Sequence, residues 1–191
     1  MLNTLIEDHI RCLESLKAKA ASLEQAGQAL LACLLDGGKL LICGNGGSAS
    51  DAQHFAAEIV GRFEKERRAF PAVALSTDTS ILTAVGNDYG YDEVFARQVA
   101  GLGRPGDVLI GISTSGLSPN VIRAVQCARA MTMRTVGLLG KDGGPLKGLV
   151  DQAIVVESDT TARIQEAHIF ILHYWAGIIE DGLPDDHGSR K

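Results

Sequence analysis

His54 and Glu58 stand four residues apart in Asp51-Ala52-Gln53-His54-Phe55-Ala56-Ala57-Glu58, so on a helix they share one face. An imidazole and a carboxylate held together can pass protons to and from a bound molecule. The same spacing more often marks a modest exposed ion pair. A second group lies far along the chain, where Arg163-Ile164-Gln165-Glu166-Ala167-His168 precedes His173 in the apolar run Ile169–Trp175. His168 reads as a satisfied core histidine. His173, set among Ile171, Leu172, Tyr174 and Trp175, stays open between core and site. Two histidines and a carboxylate make a donor set for a divalent metal such as zinc, although spacing alone does not single that reading out.

Two loops suit an anion. Cys43-Gly44-Asn45-Gly46-Gly47-Ser48 leaves an apolar run and enters a helical pattern. Its glycines let backbone N–H groups approach a phosphate at a helix N-terminus, where the dipole also favours negative charge. It lacks the Gly-Lys-Ser/Thr of a Walker loop and the dinucleotide fingerprint. Ser48 and Asp51 have the spacing of a capping box. Ser113-Thr114-Ser115-Gly116-Leu117-Ser118-Pro119-Asn120 offers hydroxyls ahead of another helix. The plain alternatives are a ligand-free glycine turn and simple N-capping by Ser118 with Pro119 at the first helical position. Both loops on one sheet edge favour a phosphorylated small molecule.

The elements that must position these residues follow from periodicity. Apolar runs at 39–43, 72–75, 108–112, 135–139 and 153–156 alternate with helical patterns at 48–62, 79–86 with 92–100, 118–131 and 160–181. This predicts an α/β fold with a five-stranded parallel sheet covered on both faces, its ligands beyond the carboxyl ends of the strands. Residues 3–35 carry apolar positions at helical spacing, with Gly27 as a candidate break and Asp36-Gly37-Gly38 as the stop. The polar end, 182–191, is expected to be disordered.

Composition sets the outer bounds. The 191 residues include 18 basic and 23 acidic side chains, a net charge of −5, and 46% are hydrophobic. That is the make-up of a folded domain, and it argues against a general nucleic-acid or membrane-surface binder. Glycine is in excess, and 18 of the 22 fall between Gly37 and Gly148, where strand–helix turns crowd together. Cys12, Cys33, Cys43 and Cys127 are scattered and read as free thiols. With no membrane-length apolar run and no leader pattern, a cytoplasmic location is expected.

Read together, Gly44–Ser48 (GNGGS), Asp51–Glu58 (DAQHFAAE), Gly86–Asp88 (GND), Gly111–Gly116 (GISTSG), Gly140–Gly144 (GKDGG) and Arg163–His168 (RIQEAH) resemble the sugar-isomerase (SIS) superfamily. Within it they are most similar to the sedoheptulose-7-phosphate isomerases, in order and spacing, to about Asp181. The resemblance implies a three-layer flavodoxin-like fold: an N-terminal helical segment for oligomerisation (1–36), an SIS domain (37–181) and a polar tail (182–191). It implies a homotetramer with active sites at subunit interfaces. It also implies conversion of sedoheptulose 7-phosphate to D-glycero-D-manno-heptose 7-phosphate, the first step towards bacterial heptose.

Carried over by position, the resemblance puts one zinc ion per subunit on His54, Glu58, Gln165 and His173, with Glu58 and His173 as the acid–base pair. It puts the substrate against Asn45, Gly46, Gly47, Glu58, Asn87, Asp88, Ser113, Thr114, Ser115, Ser118 and Gln165. Gln165 and His173 are eight residues apart, about 12 Å along a helix, so they serve one ion only by leaning towards each other. Ala162 stands directly before RIQE, where many members of that family carry an acidic residue. The rival expectation is a non-catalytic SIS tetramer, a binding module of the replication-initiation-associating type. Retention of Glu58, His173 and the full GNGGS loop favours the isomerase.

Overall fold

Leu40–Gly44 is buried at every position, as a strand covered on both faces must be. It is β1 of a computed structural model that describes residues 1–183 of the 191. The other strands are β2 (Ala72–Ala74), β3 (Val108–Ser113), β4 (Arg134–Gly140) and β5 (Gln152–Val156). All pair in parallel, in the order β2-β1-β3-β4-β5. Each lies within a residue or so of its predicted run.

Side-chain alternation along the strands divides the core into two. Leu40, Ile42, Val108, Ile110, Val136 and Ile154 face one cluster, which is completed by α2 (Ala20–Leu35), α3 (Gly47–Val60) and α8 (Thr161–Gly182). Leu41, Cys43, Leu109 and Leu139 face the other, under α5 (Val94–Leu102), α6 (Pro119–Ala130) and α7 (Gly144–Leu149). The result is the expected three-layer α/β sandwich. α1 (Leu2–Ser15) lies along α8, and α4 (Thr79–Tyr89) has no fully buried residue.

Four local expectations are corrected. The N-terminal break is a 3₁₀ turn at Leu16–Lys19, and Gly27 lies inside α2. A Cβ at Gly27 would stand 2.6 Å from Ile178 Cδ1 and 3.0 Å from Trp175 Cδ1, so this glycine lets α2 close on α8. Ser48 does not cap α3: the N-cap position is Gly46, with φ of 57°, and no side chain caps it. α7 was not anticipated, because Gly144-Pro145-Leu146-Lys147-Gly148-Leu149 carries three poor helix formers in six residues. The polar tail begins later than 182, since Gly182 completes α8 and Leu183 is buried. The remainder of that tail, 184–191, lies outside the described residues.

Candidate active site

α3 leaves the carboxyl end of β1 and packs beside α8, where Phe55 meets Trp175 edge-on with ring centroids 6.5 Å apart. That packing turns His54 and Glu58 of α3 towards His173 of α8. His54 Nε2 lies 3.0 Å from Glu58 Oε1 and 3.0 Å from His173 Nε2. Glu58 and His173 are half-buried and His54 is exposed. The Phe63 ring lies over His173 at 5.5 Å.

Two imidazole nitrogens at 3.0 Å hold at most one proton between them, so one presents its lone pair. The arrangement suits a shared proton or a shared cation. His54, Glu58 and His173 offer ligand atoms all within 4.8 Å of one another. Zinc bonds of about 2.0–2.2 Å place tetrahedral ligands a little over 3 Å apart, so both the donor types and their spacing fit a divalent ion.

Gln165, the fourth position in the predicted metal set, contacts the glycine loop. Its amide packs against the α-carbon of Gly47 at the start of α3, about two turns before His54, where a Cβ would collide with it. The glycine leaves room for the amide, which any side chain here would push aside. His168 is the core histidine that the sequence suggests: it is fully buried, and Nε2 bonds to the Leu139 carbonyl at 3.0 Å. Burial, only partly offset by that bond, lowers its pKa to about 4.

The glycine loop is braced from the side. Asn45 and Asn120 exchange two amide hydrogen bonds of 2.8 Å, and the Tyr91 hydroxyl donates to Asn45 Oδ1 at 3.4 Å. Some of the helix-start donors are already used, since Ser48 N bonds to Asn45 O and Ala49 N to Gly46 O, both at 3.0 Å. In the serine loop, Ser118 is the N-cap residue with Pro119 after it, yet its hydroxyl meets Ser113 Oγ at 2.9 Å and caps nothing. Ser113 Oγ also accepts from Gly116 N at 3.1 Å, and Ser115 Oγ from Leu117 N at 3.2 Å. Thr114 is half-buried beside them. Gly116, with φ of 67°, lies against the Gly143 carbonyl in a contact that no side chain would permit. Asn87 and Asp88 are exposed in the last turn of α4 and, among the described residues, bond to each other at 2.8 Å.

Sequence reasoning missed Asn120, Tyr91 and Phe63. Asn120 stood in the quoted serine motif; the other two carried no local signal. It also missed the state of Asp51, a turn before His54. Burial, opposed by His54, raises the Asp51 pKa to about 6, and its Oδ2 is buried with no hydrogen-bond partner among the described residues.

A five-stranded parallel sheet in this order, with glycine and hydroxyl loops leaving the carboxyl ends of β1 and β3 and a His–Glu–His cluster on α3 and α8, is the arrangement of an SIS domain. Residues 6–140 match the SIS domain family model. Phosphoheptose isomerase of Campylobacter jejuni serotype O:6 is 53% identical over 177 residues, 93% of this chain and 95% of that one. The Helicobacter pylori (strain P12) phosphoheptose isomerase is 56% identical over 87% of each. The solved phosphoheptose isomerase of Neisseria gonorrhoeae superposes with a TM-score of 0.89 at 46% identity, covering 94% of this chain and 97% of that one. The chain belongs to the phosphoheptose isomerase family of SIS-domain proteins, and it is a sugar-phosphate isomerase.

Proposed function

We propose that this protein converts sedoheptulose 7-phosphate to D-glycero-D-manno-heptose 7-phosphate, supplying a bacterial heptose pathway in the cytoplasm. The observation that carries the reading is the convergence of His54, Glu58 and His173, two of them on the helix that the glycine loop leads into. A non-catalytic binding module has no use for that cluster, and the relatives support the isomerase.

The phosphate is assigned to Ser113, Thr114, Ser115 and Ser118, and the sugar hydroxyls to Asn45, Gly46, Gly47, Asn87, Asp88 and Gln165. Glu58 Oε1 faces His54, so the second carboxylate oxygen is the one assigned to the C1 proton. As the C1–H bond breaks, the carbon's electron pair forms the C1=C2 bond of an enediol, and the C2 carbonyl oxygen gains a proton. His173 moves the hydroxyl proton between O1 and O2, and Glu58 returns its proton to C2. No external oxidant or reductant is needed. Zinc, one ion per subunit, would be held by His54, Glu58 and His173, with Gln165 as fourth donor once its side chain turns from Gly47. When bound it supplies Lewis acidity to the sugar oxygens.

The assembly belongs to the same reading: a homotetramer with active sites at subunit interfaces, built through residues 1–36. Leu5, Ile6 and Ile10 of α1 and Phe170 of α8 expose an apolar stripe that a second copy would cover. The deciding experiment follows aldose formation from sedoheptulose 7-phosphate with purified protein, with and without a chelator. No turnover under either condition, with zinc added back, would reject the assignment.

A further inference from the structure

Glu180 lies seven residues beyond His173 on α8, two turns along the same face. Its side chain is only 2% exposed. The carboxylate accepts from the backbone N–H groups of Phe63 (3.1 Å), Glu64 (2.8 Å) and Lys65 (2.8 Å), and Arg67 Nε stands 3.4 Å from Oε1. Burial works against its charge, but the three N–H donors and Arg67 outweigh it and hold the carboxyl below its usual range. Burying a carboxylate costs several kcal/mol unless it is fully partnered, and here the partners come from one irregular loop between α3 and β2.

That loop touches both halves of the site. Phe63 lays its ring over His173 at 5.5 Å, with the planes 31° apart. Arg67 donates to the carbonyls of Glu58 (2.5 Å), Ile59 (2.9 Å) and Gly61 (3.3 Å), placing a cation on the carboxyl end of the helix that carries His54 and Glu58. One loop thus packs on the His173 ring and on the carboxyl end of the helix bearing His54 and Glu58, and a single buried carboxylate gathers it.

We infer that Glu180 is a positioning residue for the His54–Glu58–His173 centre, acting through Phe63 and Arg67. Its catalytic consequence rests on the function proposed above; its geometric part does not. Glu180→Gln keeps the shape and removes the charge that binds three N–H groups. Phe63→Leu keeps apolar volume and removes the ring.

The test uses the full chain in two states. In metal-free protein, the His173 side-chain NMR signals carry the ring current of Phe63, and Glu180→Gln is expected to shift them towards their Phe63→Leu positions. With Co²⁺ as the probe, absorption titration is expected to show a ten- to hundred-fold rise in Kd for Glu180→Gln, the range seen when the supports of metal ligands are removed. Turnover should show a fall in kcat with KM for the sugar phosphate within about threefold, because the phosphate loops are untouched. A folded Glu180→Gln protein with native His173 signals and native Co²⁺ affinity, altered only in melting temperature, overturns the inference. If Glu180→Gln does not fold, Phe63→Leu decides: unchanged Co²⁺ affinity overturns it and weakened affinity supports it. Wild-type protein that takes up no Co²⁺ defeats the metal-centre reading, and the His173 signals then decide the positioning role alone.

Discussion

His54 and His173 are 119 residues apart in sequence, on helices that follow β1 and β5, and their Nε2 atoms meet at 3.0 Å. Only one proton fits between them, a geometry that suits a shared proton or a cation. Chelation is therefore expected to remove isomerase activity and zinc to restore it, with His54→Gln and His173→Gln each losing bound metal. Metal analysis alongside turnover checks this. Full activity in protein shown to be metal-free would leave the cluster with proton transfer only.

Glu58 is the base proposed for the C1 proton. Glu58→Gln should lower kcat by about 10²–10⁴, the usual worth of a general base. Equilibrium binding of the sugar phosphate should stay within a few-fold, since the hydroxyl loops are intact. Native turnover in this variant would move the base elsewhere.

Gly47 admits the Gln165 amide. Gly47→Ala is expected to displace that amide and raise KM by roughly tenfold, while stability changes by less than about 1 kcal/mol because alanine suits a helix start. A double-mutant cycle with Gln165→Ala checks the route. If Gly47→Ala costs as much in the Gln165→Ala background as in the native one, the effect does not run through Gln165.

Buried His168 and half-buried Asp51 should pull stability in opposite directions with pH. His168, at about 4 when folded against about 6.5 unfolded, leaves the unfolded chain binding more protons between those values. Its contribution is full above about 6.5 and is lost as pH falls towards 4. Asp51, raised to about 6 from 3.8, binds its proton more tightly when folded, so its contribution is present at low pH and is lost as pH rises through 6. Asp51→Asn should steepen the loss of stability on acidification, and His168→Gln should flatten or reverse it. Denaturant unfolding from pH 4 to 7 measures both; parallel profiles for all three proteins would refute the pair.

The apolar stripe on α1 predicts assembly. Ile6→Glu puts a charge among Leu2, Leu5 and Ile10, all exposed in the single chain. Light scattering is expected to show a smaller species than the native protein. An unchanged mass would place the subunit contacts elsewhere.

Much of the fold was legible because it is written locally. Strand cores such as Leu40–Cys43 and Val108–Ile112 are unbroken apolar runs, and the loops after β1 and β3 carry their turn chemistry in adjacent residues. Gly27 misled because a glycine that ends a helix and one that admits a neighbouring helix look alike in sequence. The true break, Leu16–Lys19, contains no glycine or proline to mark it.

The site divides along the same line. By itself the sequence placed His54 and Glu58 on one helix face, and marked the residues of both loops, since three or four residues' separation on a helix is a fixed distance. Tertiary packing decided the rest. Residue spacing read His168 as core but left His173 open, and the family resemblance grouped His173 with His54; the contact of α3 with α8 is what brings those two rings together. The sequence held no hint that Gln165 rests on Gly47, or that Glu180 reaches three N–H groups more than 110 residues away. Those relationships are distances between elements, and they exist only once the helices have packed on the sheet.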